Sequence, residues 1–210
     1  RANRTGAAAA AAYSQSGVNQ RIDLGSLRVL IVGPDTMNYP TDANTIYLTT
    51  ATLAWLDAEL AASPVPCVIV CHAPLKNTVV DSAQDGVTVF DSTTAGFFVC
   101  RTGDSDDAAV RAILAARSNA IAWVSGHCHV DPRRCAATLF ATTTVGSRSI
   151  AVINCPAIYY TTPTPDTTDP IWSVYLTHLG GAQMEIRLRN HGNGTWDGAN
   201  GQRVTTLTAT

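Results

Sequence analysis

Two short segments hold the residue types best suited to chemistry: Cys71-His72-Ala73-Pro74-Leu75 and Gly126-His127-Cys128-His129. Each follows an apolar run that reads as a buried strand, Val65 to Cys71 before the first and Ala120 to Ser125 before the second. Both segments therefore set histidine just past the carboxyl end of a strand, the edge at which open α/β sheets gather ligands. Neutral imidazole is the commonest protein ligand for zinc and also suits iron and similar ions. His72, His127 and His129 brought to one sheet edge would make a metal site.

The remaining elements must position that edge. Leu27 to Val32 reads as a strand. Thr49 to Ala62 reads as a helix, with Leu53, Leu56 and Leu60 at helical spacing and Pro64 and Pro66 forbidding its continuation. A second helix is expected from Asp106 to Arg117, between the two apolar strands. An uninterrupted apolar strand after a helix implies a sheet covered on both faces, so the fold class is α/β. Beyond His129 the texture turns to β, with strands expected at Thr138–Thr144, Ser149–Asn154, Trp172–Leu179 and Met184–Arg189. Gly180-Gly181 fits a tight hairpin turn between the last two. Residues 1–26 form a polar, Ala-rich lead, and residues 27–210 make up the domain or the part of one present here.

The ordered set of strand-His-x-Pro, helix and strand-Gly-His-x-His resembles the carboxyl-terminal part of the calcineurin-like metallophosphoesterases. Leu27 to Thr36 resembles that family's strand ending in Asp-Thr, and Leu53 to Leu60 resembles its Trp-Leu-x-x-x-Leu helix, so the likeness runs from about Leu27 to Asn154. It implies part of an α/β/β/α sandwich with a β-rich carboxyl-terminal section. It also implies two divalent ions, drawn from zinc, iron or manganese, with His72 and His127 on one ion and His129 on the other. Asp35 would stand behind the ligands. Such a pair polarises a phosphate ester and supplies hydroxide for in-line attack on phosphorus. Arg133 and Arg134 could reach a substrate phosphate, although a solvated turn after Asp131-Pro132 is the plainer reading of both.

The family's Asp-x-His, Gly-Asp-x-x-Asp and Asn-His-Asp/Glu motifs do not precede Leu27. Gly103-Asp104-Ser105-Asp106-Asp107 spells the second of these, but it opens the helix at 106, where acids and serine are ordinary capping residues. Asn190-His191 is followed by Gly192 instead of an acid and reads as a turn. The expectation is that the remaining ligands come from a missing amino-terminal half or a companion chain. That piece would also cover an apolar sheet face left open by an incomplete sandwich.

Composition narrows the partners. A net charge of −2 and a pI near 6.2 give no electrostatic reason for nucleic acid or an anionic membrane. No apolar run approaches the roughly 18 residues of a membrane span, and Ala7 to Ala12 is too short for a secretory signal. Six cysteines allow disulfides. Cys67 and Cys71, four apart on one strand, stand about 13 Å apart and cannot bond each other, whereas Cys128 and Cys135 could close a loop. His178, within a strand, and His191, in a turn, read as structural.

Three functions follow. The first is phosphoester hydrolysis by a dinuclear centre completed from outside this sequence. The second is a non-catalytic assembly module in a virion, filament or surface protein, capable of self-assembly. The third is a mononuclear zinc site on the three histidines.

Overall fold

The computed structural model describes residues 13–16, 18–33, 48–78, 105–126, 140–156, 172–180, 183–191, 194–196 and 202–206. Strands β1 (Tyr13–Ser16), β2 (Asn19–Asp23) and β3 (Arg28–Val32) lead to helix α1 (Thr50–Ala61) and strand β4 (Cys67–Cys71). Helix α2 (Ser105–Ala116), β5 (Ala120–Ser125), β6 (Phe140–Val145) and β7 (Arg148–Asn154) follow. The final section is β8 (Trp172–Gly180), β9 (Gln183–Asn190), β10 (Thr195–Trp196) and β11 (Gln202–Thr206).

The first sheet has the order β1-β2-β3-β4-β5-β7-β6. Its centre, β3-β4-β5-β7, is parallel, while β1-β2, β2-β3 and β6-β7 are antiparallel. Parallel neighbours need crossover connections. Here α1 lies in the β3–β4 connection and α2 in the β4–β5 connection, both on one face, where Leu56, Leu60, Val110 and Leu114 pack with Leu30, Ile69, Cys71 and Trp123. The other face is apolar as well, which is why β4 and β5 carry almost no polar residues. There Val68, Ile121, Val124 and Ile153 pack against Met184, Ile186 and Leu188 of β9. In β9 these three alternate with Glu185 and Arg187, as expected of a sheet with one packed face. The second sheet comprises β8 on one edge of β9, with β10 and β11 on the other. The described layers are thus helix, mixed sheet and antiparallel sheet, an α/β architecture with a β-rich end.

Local sequence explains the boundaries. Thr49 caps α1, its side chain accepting from the Thr52 amide at 3.2 Å. Gly146 turns the β6–β7 hairpin at φ +61, where an added Cβ would also stand 2.9 Å from the Ala115 Cβ. The conformation and the close approach both require glycine there. Residues 1–26 contribute more than a lead, because β1 and β2 within them extend the sheet beyond β3. β10 and β11 are likewise additions to the four strands expected after His129. Among the described residues no helix is long and apolar enough to cross a membrane.

Candidate metal edge

The parallel register brings the two motif-bearing strands together. Val32 pairs with Cys71 across β3 and β4, and Val70 pairs with Val124 across β4 and β5. The ladder continues past the strand ends. The Gly126 amide donates to the His72 carbonyl at 3.1 Å, and the Cys155 amide donates to the Ser125 carbonyl at 2.6 Å. The carboxyl ends of β4, β5 and β7 therefore lie side by side, with His72 next to the residue that immediately precedes His127. His72 is exposed, while Cys71 before it and Ala73 after it are buried. By strand alternation His72 continues the file of Val68 and Val70, the face turned toward the second sheet.

The segment after His72 is held from several sides. Ala73 and Leu75 are fully buried. The Trp123 indole Nε1 donates to the Ala73 carbonyl at 3.1 Å. A bulge makes this possible: the register between β4 and β5 shifts after Cys67, and Trp123 packs in the helix-side cluster while Ile121 and Ala122 pack in the other. The Lys76 amide donates to Asp107 Oδ1 at 2.9 Å, and the Arg111 guanidinium, itself 2.6 Å from Asp107 Oδ2, reaches the Lys76 carbonyl at 2.6 Å. Asp106 Oδ2 accepts the Leu48 amide at 3.1 Å. Of the acids that spell Gly-Asp-x-x-Asp, Asp107 thus lies at the start of α2, where it and its neighbour Asp106 tie two other segments to the helix, while Asp104 lies outside the described residues. At the far end of the loop, the Asn154 Nδ2 donates to the Thr78 carbonyl at 3.1 Å and its Oδ1 accepts from Ser125 Oγ at 2.8 Å.

His72 is the only one of the six site residues named from the sequence that falls among the described residues. Asp35, His127, His129, Arg133 and Arg134 lie outside them, as do Cys128 and Cys135. Among the described residues no group of three or more His, Cys, Asp or Glu side chains could hold a metal ion. The donor chemistry at the edge is compatible with a divalent ion: an exposed imidazole stands beside Gly126, where an added Cβ would meet no described heavy atom within 4 Å. Burial raises the pKa of the nearby thiols, Cys71 to about 12 and Cys155 to about 11. His178 and His191 are away from the edge. His178 Nδ1 lies 3.3 Å from Ser26 Oγ, and His191 Nε2 lies 2.9 Å from Ser173 Oγ.

Sequence reasoning passed over Trp123, Ser125 and Asn154. One signal was available: Ser125 and Asn154 are polar residues that each close an apolar run at the same edge.

No protein-family profile and no curated protein matches the chain. Among solved structures it is similar to a dimetal phosphatase from Danio rerio, at 13% identity and a TM-score of 0.49 over 87% of this chain. The matched region spans 58% of that protein's length.

Proposed function

We propose that this chain contributes the carboxyl-terminal part of a metal-dependent phosphoester hydrolase, with His72, His127 and His129 as metal ligands. The observation that carries the reading is the 3.1 Å bond from the Gly126 amide to the His72 carbonyl. It makes the starting points of the His-x-Pro and Gly-His-x-His segments neighbours on adjacent parallel strands, about 4.8 Å apart in the hydrogen-bonding direction. Divalent ions held there would act as Lewis acids on a phosphate ester. In this reading His72 is presented by a loop pinned to β5, β7 and α2, Asp35 stands behind the ligands, and Arg133 and Arg134 bind the ester phosphate. The Asp-x-His ligand comes from a polypeptide segment outside residues 1–210, since no such motif occurs within them. The same companion would cover the outer face of the second sheet, where Tyr175 and Trp196 are 44% and 38% exposed.

The test is hydrolysis of bis(p-nitrophenyl) phosphate and p-nitrophenyl phosphate with added Mn²⁺ or Zn²⁺. The chain is assayed alone and with any polypeptide that copurifies with it. His72→Ala, His127→Ala and His129→Ala should each lower the metal-dependent rate at least 100-fold. Metal-independent hydrolysis, or rates untouched by all three substitutions, would rule the reading out. A folded chain that assembles but neither binds metal nor hydrolyses ester would instead be the non-catalytic module, and a single ion held by the three imidazoles would be the mononuclear zinc site.

A further inference from the structure

Asn154 is fully buried at the last position of β7, after the apolar run Ala151 to Ile153. A buried amide is costly unless satisfied, whereas an apolar residue would extend the run without that demand. What the amide does here is grip. Its Nδ2 donates to the Thr78 carbonyl and its Oδ1 accepts from Ser125 Oγ. The carbonyl partner fixes which end of the amide is nitrogen. Thr78 Oγ1 in turn donates to the Leu75 carbonyl at 2.7 Å, closing the loop on itself. Three strand ends meet at this side chain: β7 by the backbone, β5 through Ser125, and the β4 loop through Thr78. Loops usually run over the surface. This one is buried at Ala73, Pro74, Leu75 and Thr78 and presents an exposed imidazole at its start.

We infer that Asn154 is a positioning residue for His72, locking loop 72–78 onto the ends of β5 and β7. The part of this inference that concerns metal rests on the reading of His72 as a ligand. Groups behind a metal ligand fix its orientation, and their removal typically costs 10–100-fold in affinity.

The same chemistry recurs at the opposite end of the sheet and serves as the control. Asn119 Nδ2 donates to the Leu60 and Ser63 carbonyls at 2.8 and 3.0 Å, at the amino end of β5. Asn154→Asp and Asn119→Asp each exchange an amide donor for a carboxylate of the same shape. Ser125→Ala is the milder variant, removing only the hydroxyl that orients Asn154.

Two quantities are read on the chain of residues 1–210: hydrogen exchange at the Lys76 and Gly126 amides without metal, and Zn²⁺ affinity by calorimetry. Exchange at both amides should rise at least tenfold in N154D and about threefold in S125A. Once corrected for global stability, it should be unchanged in N119D. Zn²⁺ affinity should fall at least tenfold in N154D and stay within twofold in N119D. Equal exchange in N154D and N119D after that correction would overturn the lock whatever the metal result, as would unaltered Zn²⁺ affinity in an N154D chain whose wild type binds Zn²⁺. Faster exchange in N154D with no Zn²⁺ bound by the wild type would leave the lock standing and remove the metal reading instead.

Discussion

Replacing Arg148 should be among the most damaging single substitutions in this domain, although the residue lies far from the candidate metal edge. Arg148 is the first residue of β7 and only 7% exposed. Its guanidinium donates to four carbonyls where α2 ends and β5 begins: Leu114 at 2.8 Å, Arg117 at 2.6 Å, Ser118 at 3.0 Å and Ala120 at 2.5 Å. No carboxylate among the described residues pairs with it, and burial pulls its pKa below the usual arginine value. The charge is met by carbonyl dipoles at a helix carboxyl terminus, where a cation is favoured. Arg148→Met keeps most of the volume and removes all four donors. A hydrogen bond to a charged group is worth about 1.5–3 kcal/mol, and each carbonyl left dry costs about 1–3 kcal/mol. Water can reach part of the site after substitution, so the sum is not additive; we expect about 3–5 kcal/mol, close to the cost of breaking a buried ion pair. That is a large fraction of the ~5–15 kcal/mol that holds a domain folded. Arg148→Lys places the charge correctly but without the planar fork, so about half the loss should remain. Urea denaturation with a fitted slope measures both. A loss below about 1 kcal/mol for R148M, or a lysine variant equal to the wild type, would refute the argument from four oriented donors.

Gly33→Ala should destabilise by about 1–3 kcal/mol through overpacking, because its Cβ would stand 2.6 Å from the Val18 Cβ. Val18→Gly should recover most of that loss in a double-mutant cycle followed by thermal melts. Cys67, Cys71 and Cys155 are free thiols whose pKa values burial raises. Native protein treated with iodoacetamide at pH 8 should leave these three unmodified on peptide mass mapping. The folded state holds their protons more tightly than the unfolded state, so stability should fall as pH rises from about 9 toward the raised values. The Asp57 carboxyl is held below its ordinary value, first by its hydrogen bond from Arg117 and opposed by slight desolvation. Its contribution is therefore present above the unfolded carboxylate pKa of about 4 and lost as pH falls through the lowered folded value. Asp57→Asn should differ slightly from the wild type in urea melts at pH 6 and converge with it at strongly acid pH.

Most of the framework was legible because burial on both faces writes itself into sequence. Val68 to Cys71 and Ala120 to Val124 are apolar throughout because helices cover one side and β9 the other. The proline pair after α1 fixed the end of that helix to within a residue. β1 and β2 were not legible. They are outlying strands of polar residues, and Ile22 is the only aliphatic side chain in β2. Their pairing is decided by the edge offered by β3, a tertiary fact without a local pattern. The bulge between β4 and β5 was hidden for a related reason: in an all-apolar strand no alternation marks which residue faces which side, so the placement of Trp123 could not be read. The adjacency of His72 and Gly126 followed from strand-helix-strand logic. The polar grips beneath it, Asn154 on Thr78 and Asp107 on Lys76, join residues 76 and 31 positions apart, and composition carries no trace of such partners.

The most direct measurement of the central claim is a Zn²⁺ titration of the chain followed by X-ray absorption at the zinc edge, for the wild type and for His72→Ala. The account predicts stoichiometric binding with imidazole nitrogen in the first shell, weakened at least 100-fold by the substitution. The absence of stoichiometric zinc, or a spectrum and affinity indifferent to the loss of His72, would contradict it.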